Sequence, residues 1–333
     1  MTGRGSIPRM GSVLIMVVWV ITLLSMLAAA LGTQSAAALS LTTRLDRQLQ
    51  AAYLAQAGWQ QALDVLAQDI VVEVDGMGEI WANAPGSLQD QPLGDGSFSV
   101  VARNPVTRST RYGWTDEDRF LNLNTAPESA LFTLLAVQGG LKEPEAQAVA
   151  EAILDWRDED KDKHDHGAEG FYYLGLSPGY ACKDGPFENV EELLLIRGMT
   201  LDAYERVAPY VTVFGSGQVN LNTAPGPVLT ALGFSPEAVN GIVFYRNGED
   251  NIEGSTDDRQ FASTAAVTAE LGRVMAADDR HRLEQLIQAD LIGVKSDAFR
   301  TVVEASVQRD GHSAVRLQGV VDHKGRTLAW AEE

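Results

Sequence analysis

Residues 11–31 read GSVLIMVVWVITLLSMLAAAL. From Val13 to Leu31 only Thr22 and Ser25 interrupt the apolar run, and the next charge is Arg44. A helix needs roughly 20 apolar residues to cross the hydrocarbon of a bilayer, and this run has that length. A cleaved secretory signal has a shorter apolar core, roughly 7–15 residues, followed by a small-x-small site. Ala28-Ala29-Ala30 imitates such a site and supplies the competing reading. The downstream text favours a helix that stays. Leu39, Leu41, Leu45, Leu49, Tyr53, Trp59, Leu63 and Leu66 recur at steps near three and four, the helical period. No proline occurs between Gly11 and Asp69. Gly32 and Gly58 each cost about 1 kcal/mol in a helix interior, which so long a helix tolerates. One continuous helix follows, apolar all round at first and amphipathic later. Arg4 and Arg9 precede the run, which puts the short N-terminus in the cytoplasm and everything after Thr33 outside. Leu45, Leu49 and Tyr53 can serve either the protein's own sheet or a neighbouring subunit.

At 333 residues there is room for an anchor and two modest folded units. Hydrophobic residues make up 45%, enough for a packed core. The formal net charge is −19, a surface that repels phosphate backbones and argues against nucleic acid as a partner. Cys182 is the single cysteine, so no internal disulfide forms. Alone it reads as a small buried hydrophobe.

The chain has a split organisation. A polar, glycine-rich stretch, residues 75–96, precedes SFSVVAR at 97–103, where Phe98, Val100 and Ala102 alternate onto one face of a strand. Strand-like text returns at 298–311, 313–325 and 326–332, punctuated by the turn signals Asp310-Gly311 and Lys324-Gly325. Between Asp118 and Ala289, Leu/Ala/Glu-rich segments at helical spacing take over. A β-rich unit is thus interrupted by a helical insert, and its strands pack on the amphipathic half of the first helix.

The insert contains a repeat: FLNLNTAP at 120–127 is echoed by QVNLNTAP at 218–225, each before an apolar helix. Thr125 is expected to N-cap its helix, with Pro127 in the first turn and Glu128 completing a T-x-x-E capping box. The second copy has Gly226 in place of that glutamate. Paired helices of this kind also suggest a DNA-binding helix-hairpin-helix array. Against that, Gly139-Gly140 and Lys142 are followed by Glu143 and Glu145 on an acidic surface.

Between the two copies lies ILDWRDEDKDKHDHGAEGFYY, residues 153–173. With Asp158 as position one, Asp160 and Asp162 fall at three and five and Glu169 at twelve, the spacing of an EF-hand calcium loop. Close carboxylates repel one another, and a hard divalent cation relieves that repulsion. Lys163 stands where the loop's glycine belongs, and Gly167 comes too late to replace it. The expectation is therefore Ca²⁺ among Asp158, Asp160, Asp162, Asp165 and Glu169 without a true EF-hand. His164 and His166 raise a zinc alternative. A second acidic group contains Asp184 and Glu188, with Glu191 and Glu192 reading as first-turn residues of a helix. No H-E-x-x-H or P-loop motif occurs, and the chain is expected not to be an enzyme.

Arg9-Met10-Gly11, then Ser12 and an uninterrupted apolar helix, resembles a type IV prepilin leader. The resemblance implies cleavage by a prepilin peptidase after Gly11, leaving a mature chain that starts at Ser12 and keeps its helix. Most pilins have glutamate at the fifth mature position, where this chain has Met16. Minor pseudopilin K of type II secretion systems typically lacks it. DWRDEDKD at 155–162, GAEGFYY at 167–173 and GPFENVEELLLIRGMT at 185–200, flanked by the two NLNTAP strings, resemble that same family. The resemblance implies an α+β, pilin-like fold: a long N-terminal helix packed on a small antiparallel sheet, interrupted by a large all-α insert. Residues 1–11 would be the leader and 12–33 the transmembrane helix. Residues 34–117 would open the pilin-like domain, 118–289 form the insert, and 290–333 supply the closing strands. It further implies an inner-membrane subunit with its C-terminal domain in the periplasm. There it would assemble with minor pseudopilins I and J, other pseudopilins and inner-membrane secretion components, to start and cap the pseudopilus. The insert would be too bulky for another subunit to sit above it. The family's large domain binds Ca²⁺, which carries over to Asp158, Asp160, Asp162, Asp165, Glu169, Asp184 and Glu188. The alternatives are a membrane-anchored calcium module with another partner and a helix-hairpin-helix DNA-uptake protein.

Overall fold

The structure is a computed structural model and describes residues 10–68, 73–104, 108–272, 275–307 and 313–332. Arg4, Arg9 and the Asp310-Gly311 turn lie outside the described residues.

The first helix, α1 (Met10–Leu66), is continuous, and Gly11 and Ser12 lie in its first turn. From Val13 to Gln50 no residue is buried. Packing begins at Ala51: Ala51, Leu54, Ala55, Trp59, Ala62, Val65 and Leu66 recur at three and four and form one buried stripe. Leu45, Leu49 and Tyr53 are exposed, so they do not serve the protein's own sheet. Gly58 sits where helix and sheet come closest. A Cβ there would lie 2.6 Å from Val303 Cγ1 and 2.7 Å from Phe98 Cδ2, so the close approach requires glycine.

After a short helix α2 (Pro85–Leu88) come β1 (Gln91–Leu93), β2 (Gly96–Arg103), β3 (Thr110–Arg111) and β4 (Thr115–Asp116). The chain then leaves the sheet. It traverses β5 (Leu121–Asn122), α3 (Glu128–Val137), α4 (Glu143–Arg157), α5 (Gly170–Leu174), α6 (Leu201–Val207) and β6 (Val211–Thr212). It continues through β7 (Val219–Asn220), α7 (Gly226–Ala231), α8 (Pro236–Arg246), α9 (Thr264–Leu271), α10 (Ala277–Gln288) and β8 (Ile292–Gly293). The sheet resumes with β9 (Ala298–Val307), β10 (Ser313–Asp322) and β11 (Thr327–Glu332). Its strand order is β1-β2-β9-β10-β11, with β3 on β2 and β4 on β9, and every pairing is antiparallel. The α+β, pilin-like class expected from the sequence is the class observed: a long helix on an antiparallel sheet, interrupted by helices. The β10–β11 turn closes through Gly325, whose φ of +76° suits glycine.

Two hydrophobic cores follow from this layout. One joins the α1 stripe to Phe98, Val100, Phe299, Val303, Leu317 and Val321 of the sheet. Trp59 holds edge-on contacts there with Trp114 at 5.4 Å and Trp330 at 4.9 Å. The other core belongs to the insert, from Leu121 to Ile292.

The insert is built twice. β5 pairs in parallel with β6, and β7 with β8. In the first half Arg157, ending α4, donates to the carbonyls of Leu123 and Ala126. In the second half Arg246, ending α8, donates to those of Leu221 and Ala224, the same positions of the repeated string. Asn124 bonds both the N–H and the C=O of Phe187, and Asn222 does the same to Phe261. These side chains, half-buried in the first copy and buried in the second, explain the repeat where threonine caps do not.

The capping box expected at Thr125 is not formed. Pro127 is the N-cap of α3, in extended backbone (φ −69°, ψ 151°), and Pro225 is that of α7. Thr125 Oγ1 instead donates to the Gly217 carbonyl. The reason is local. Asn122 and Asn220 each accept the N–H two residues on, closing a turn that consumes the string before the helix begins. Proline's fixed φ suits an extended cap as well as a first helical residue.

Sheet and insert meet through buried acids at the exit and return of the chain. Asp118 accepts from Ser216 through Oδ1 and from the N–H groups of Asp297 and Ala298 through Oδ2. Asp116 accepts from Thr223 Oγ1, Asn220 Nδ2 and the Asp118 N–H. Burial, reinforced by the neighbouring Asp118 carboxylate, pushes the Asp116 carboxyl up to about 7. The junction lies at the far end of α1: Trp114 Nε1 donates to the Ala62 carbonyl, and Thr115 pairs with Arg300. At the opposite end of the same strands, Gly96 and Val307 border one depression with Gln50, Tyr53 and Leu54. The insert therefore crowns the sheet at the end away from the apolar stalk.

Candidate metal centre

Helix α4 ends in Asp155-Trp156-Arg157, and Asp158 is its C-cap. A helix C-terminus carries partial negative charge, so two carboxylates there are unfavourable unless a cation joins them. Arg157 does not supply it, because it turns away to the Leu123 and Ala126 carbonyls. The loop then folds back over Asp155. The His164 N–H and ring Nδ1 both contact Asp155 Oδ1, at 3.1 and 2.5 Å. Gly167 lies directly on the carboxylate: a Cβ there would be 2.0 Å from Asp155 Oδ2. Glu169 follows as the N-cap of α5, with Oε2 accepting from the Gly170 N–H. Asp184 arrives from the next loop in left-handed backbone (φ +48°).

Ligand-capable atoms converge in three overlapping groups, each with all atoms within 4.8 Å of one another. They are Asp155, Asp158 and His164; Asp158, Asp160 and Glu169; and Glu169, Cys182 and Asp184. Four of the carboxylate oxygens are buried without a hydrogen-bond donor: Asp155 Oδ2, Asp158 Oδ1, Glu169 Oε1 and Asp184 Oδ1. A buried acceptor in that condition is costly, and four converging ones are the complement of a hard cation. Burial, and then the Asp160 and Asp155 charges, raise the Asp158 carboxyl. Burial also raises that of Glu169, with Asp155, Asp184 and Asp158 adding to it. The hydrogen bond to Asp155 raises His164. Burial pushes the Cys182 thiol up to about 12. Carboxylate oxygens dominate the donor set, with His164 and Cys182 at its margins, and such oxygens suit a hard cation such as Ca²⁺.

Of the residues expected to bind metal, Asp158, Asp160, Glu169 and Asp184 come together. Asp162, Asp165 and Glu188 join none of the groups found among the described residues. Asp162 turns its N–H onto Asp160 Oδ1. Glu188 is exposed and lies 3.7 Å from Lys183. His166 is held by Glu151, away from the cluster. The EF-hand spacing therefore does not describe the loop. The loop packs on Asp155, fully buried and one turn before Asp158, which sequence reading left out of the acidic group. The one signal for Asp155 was a carboxylate three residues before Asp158, set among Ala152, Ile153, Leu154 and Trp156.

A long helix laid on an antiparallel sheet, with a helical lobe set into that sheet and a carboxylate cluster in the lobe, defines a pilin-like fold with a large insert. Residues 117–216 match the family profile described as "Type II secretion system (T2SS), protein K". Over those residues the chain is similar to protein K of type II secretion systems. Relatives named type II secretion system protein K occur in Klebsiella pneumoniae and Pseudomonas aeruginosa. The first is 28% identical over 64% of this chain and 66% of the relative. The second is 31% identical over 53% of this chain and 52% of the relative. The match thus spans just under two thirds of one relative's length and about half of the other's. Among solved structures, the GspK–GspI–GspJ complex of the enterotoxigenic Escherichia coli type 2 secretion system contains a similar fold. That similarity has a TM-score of 0.64 at 16% identity, covering 90% of this chain and 99% of that one.

Proposed function

We propose that this chain is a minor pseudopilin that sits at the tip of a type II secretion pseudopilus, a structural subunit rather than an enzyme. The observation that carries the reading is the position of the insert. It crowns the end of the sheet remote from the stalk, where it would obstruct a further subunit, while the stalk is left uncovered from Val13 to Gln50. Within that stalk lies an apolar helix long enough to cross a membrane, with a mean hydropathy of 2.7 over its most apolar window. Lipid would cover its first part. Leu39, Leu41, Leu45 and Leu49, exposed beyond the expected span, would bury against the helices of neighbouring subunits. The processed chain would start at Ser12, with its C-terminal domain in the periplasm. Minor pseudopilins I and J are the proposed partners, by analogy with the complex whose fold this chain shares.

The carboxylate cluster is proposed to hold Ca²⁺ through Asp155, Asp158, Asp160, Glu169 and Asp184. The ion would supply the positive charge that α4's C-terminus lacks and fasten α5 and the 184 loop to it. Co-purification tests the assembly. Full-length chain in detergent, mixed with minor pseudopilins I and J, is expected to elute as a ternary complex. Leu45→Asp with Leu49→Asp should weaken that complex while leaving the chain's own melting transition in place. Separate elution of the three wild-type proteins would refute the assembly.

A further inference from the structure

The acidic cluster and the stalk leave one strongly charged feature unused. On the sheet face opposite α1, a cleft of about 350 Å³ opens between the strands and the insert. Its lining includes Arg103, Arg111, Arg119, Arg300 and Arg316, with Glu205 the one acid among the lining residues. Five of the chain's 26 basic residues thus meet in one depression of a protein with net charge −19. Each of the five already has a partner within the protein. Glu304 takes Arg103 at 2.7 Å in an exposed pair, Glu117 takes Arg300 Nε at 2.9 Å, and Glu253 takes Arg119. Arg111 reaches the Ala82 carbonyl. Burial, and then repulsion from Arg119, lower the Arg111 guanidinium to about 10, a cost that a further anion would offset. The floor is a sheet face, with Val101 and Val302 apolar. Arg316 also borders a second depression along that face, lined by Ser97, Ser99 and Ser306 and by the acids Asp90 and Glu304. The two depressions meet at Arg316 to form one trough.

We propose that this trough receives an extended, carboxylate-rich segment of a partner protein, whose acidic side chains meet Arg103, Arg300 and Arg316 while its backbone lies along the sheet face. Guanidinium groups suit carboxylates because the planar fork donates two parallel hydrogen bonds. The cleft is walled by both sheet and insert, so an occupant would bridge the two. The inference stands apart from the metal centre and does not require the tip assignment.

The test is fluorescence anisotropy of a labelled, alternating Glu–Ser octapeptide against the full chain in neutral detergent micelles. Binding is expected to weaken as salt is raised. Arg316→Glu, at an exposed position, should lower affinity about tenfold, the loss of one charge-assisted contact. Glu304→Gln, which releases Arg103, should raise it about two- to fivefold. Thermal melts of both variants check that the fold is kept. Equal binding of a Lys–Ser peptide overturns the proposal, as does wild-type affinity in both Arg316→Glu and Arg103→Glu. A peptide bound no tighter than inorganic phosphate would make the trough a simple anion site. Arg316-dependent binding to phosphatidylglycerol vesicles but not to the peptide would make it a lipid site. Either result overturns a peptide partner.

Discussion

Asp155→Asn should make the metal-free protein more stable and the calcium-bound protein less so. Asp155 Oδ1 already accepts from the His164 N–H, and an asparagine carbonyl can keep that bond. Oδ2 is the orphan, fully buried against carboxylates that lack donors. An amide nitrogen at that place removes one charge from the cluster and offers a donor to it. Unmet buried acceptors cost roughly 1–3 kcal/mol each, so a gain of about 1 kcal/mol in the apo state is expected. In wild type, Ca²⁺ at a hundredfold excess over its dissociation constant adds about 2.7 kcal/mol. At 2–4 °C per kcal/mol for a unit of this size, the melting temperature should rise by about 5–10 °C. The substituted amide would be a weaker ligand than the carboxylate, and at least about 1.4 kcal/mol of that gain, a tenfold loss in affinity, should vanish. The assay is scanning calorimetry of the full chain with Ca²⁺ or chelator, with Asp162→Asn as the control that changes neither state. pH adds a sign. Asp158 and Glu169 have folded pKa values raised above their unfolded ones. Their contribution to apo stability is therefore complete below the unfolded values near 4 and is lost as pH climbs through the folded ones. Calcium should then stabilise strongly at pH 7 and weakly near pH 4, where protons compete for the same oxygens. A destabilised apo Asp155→Asn protein that keeps a full calcium shift would refute the reasoning.

Two glycines separate packing from propensity. Gly241→Ala, in the interior of α8 with nothing within 4 Å of the added Cβ, should stabilise by up to about 1 kcal/mol. Gly58→Ala has the same propensity gain but drives its Cβ into Val303 and Phe98, and overpacking of about 1–3 kcal/mol should outweigh it in urea melts. Asn222→Ala strips both backbone partners from Phe261 inside the insert and should cost about 2–4 kcal/mol by the same measurement. Asp116, raised to about 7 from its ordinary 3.8, favours the folded junction below pH 4 and loses that contribution as pH rises through 7. Amide exchange at Asp118 and Ala298 should accordingly be slower at pH 5 than at pH 8, after correction for intrinsic rates.

The fold was legible where periodicity is local. The apolar run and its amphipathic continuation define α1, and the alternation in residues 298–307 and 313–322 becomes the central hairpin of the sheet. The interruption between them was visible as a change from strand text to helix text. Other features were not legible because they depend on contacts distant in sequence. Gly58 reads as a helix defect until Val303 and Phe98 are brought against it. The NLNTAP strings suggest threonine caps because the local rule knows nothing of Phe187 and Phe261, the partners that occupy Asn124 and Asn222. The carboxylate cluster was half legible. Acidic spacing located Asp158, Asp160 and Glu169, but linear spacing also recruited Asp162 and Asp165. It missed Asp155, whose role depends on Gly167 folding back over it. The arginine trough left no sequence signal, since its residues come from β2, β3, β9, β10 and the start of the insert.

Intact-mass and N-terminal peptide mass spectrometry of the protein purified from membranes tests the central claim, that the apolar helix is kept as tether and stalk. The account predicts a mature chain that begins at Ser12 and retains Val13–Leu31. A chain that begins after Ala30, recovered free of membrane, would contradict it.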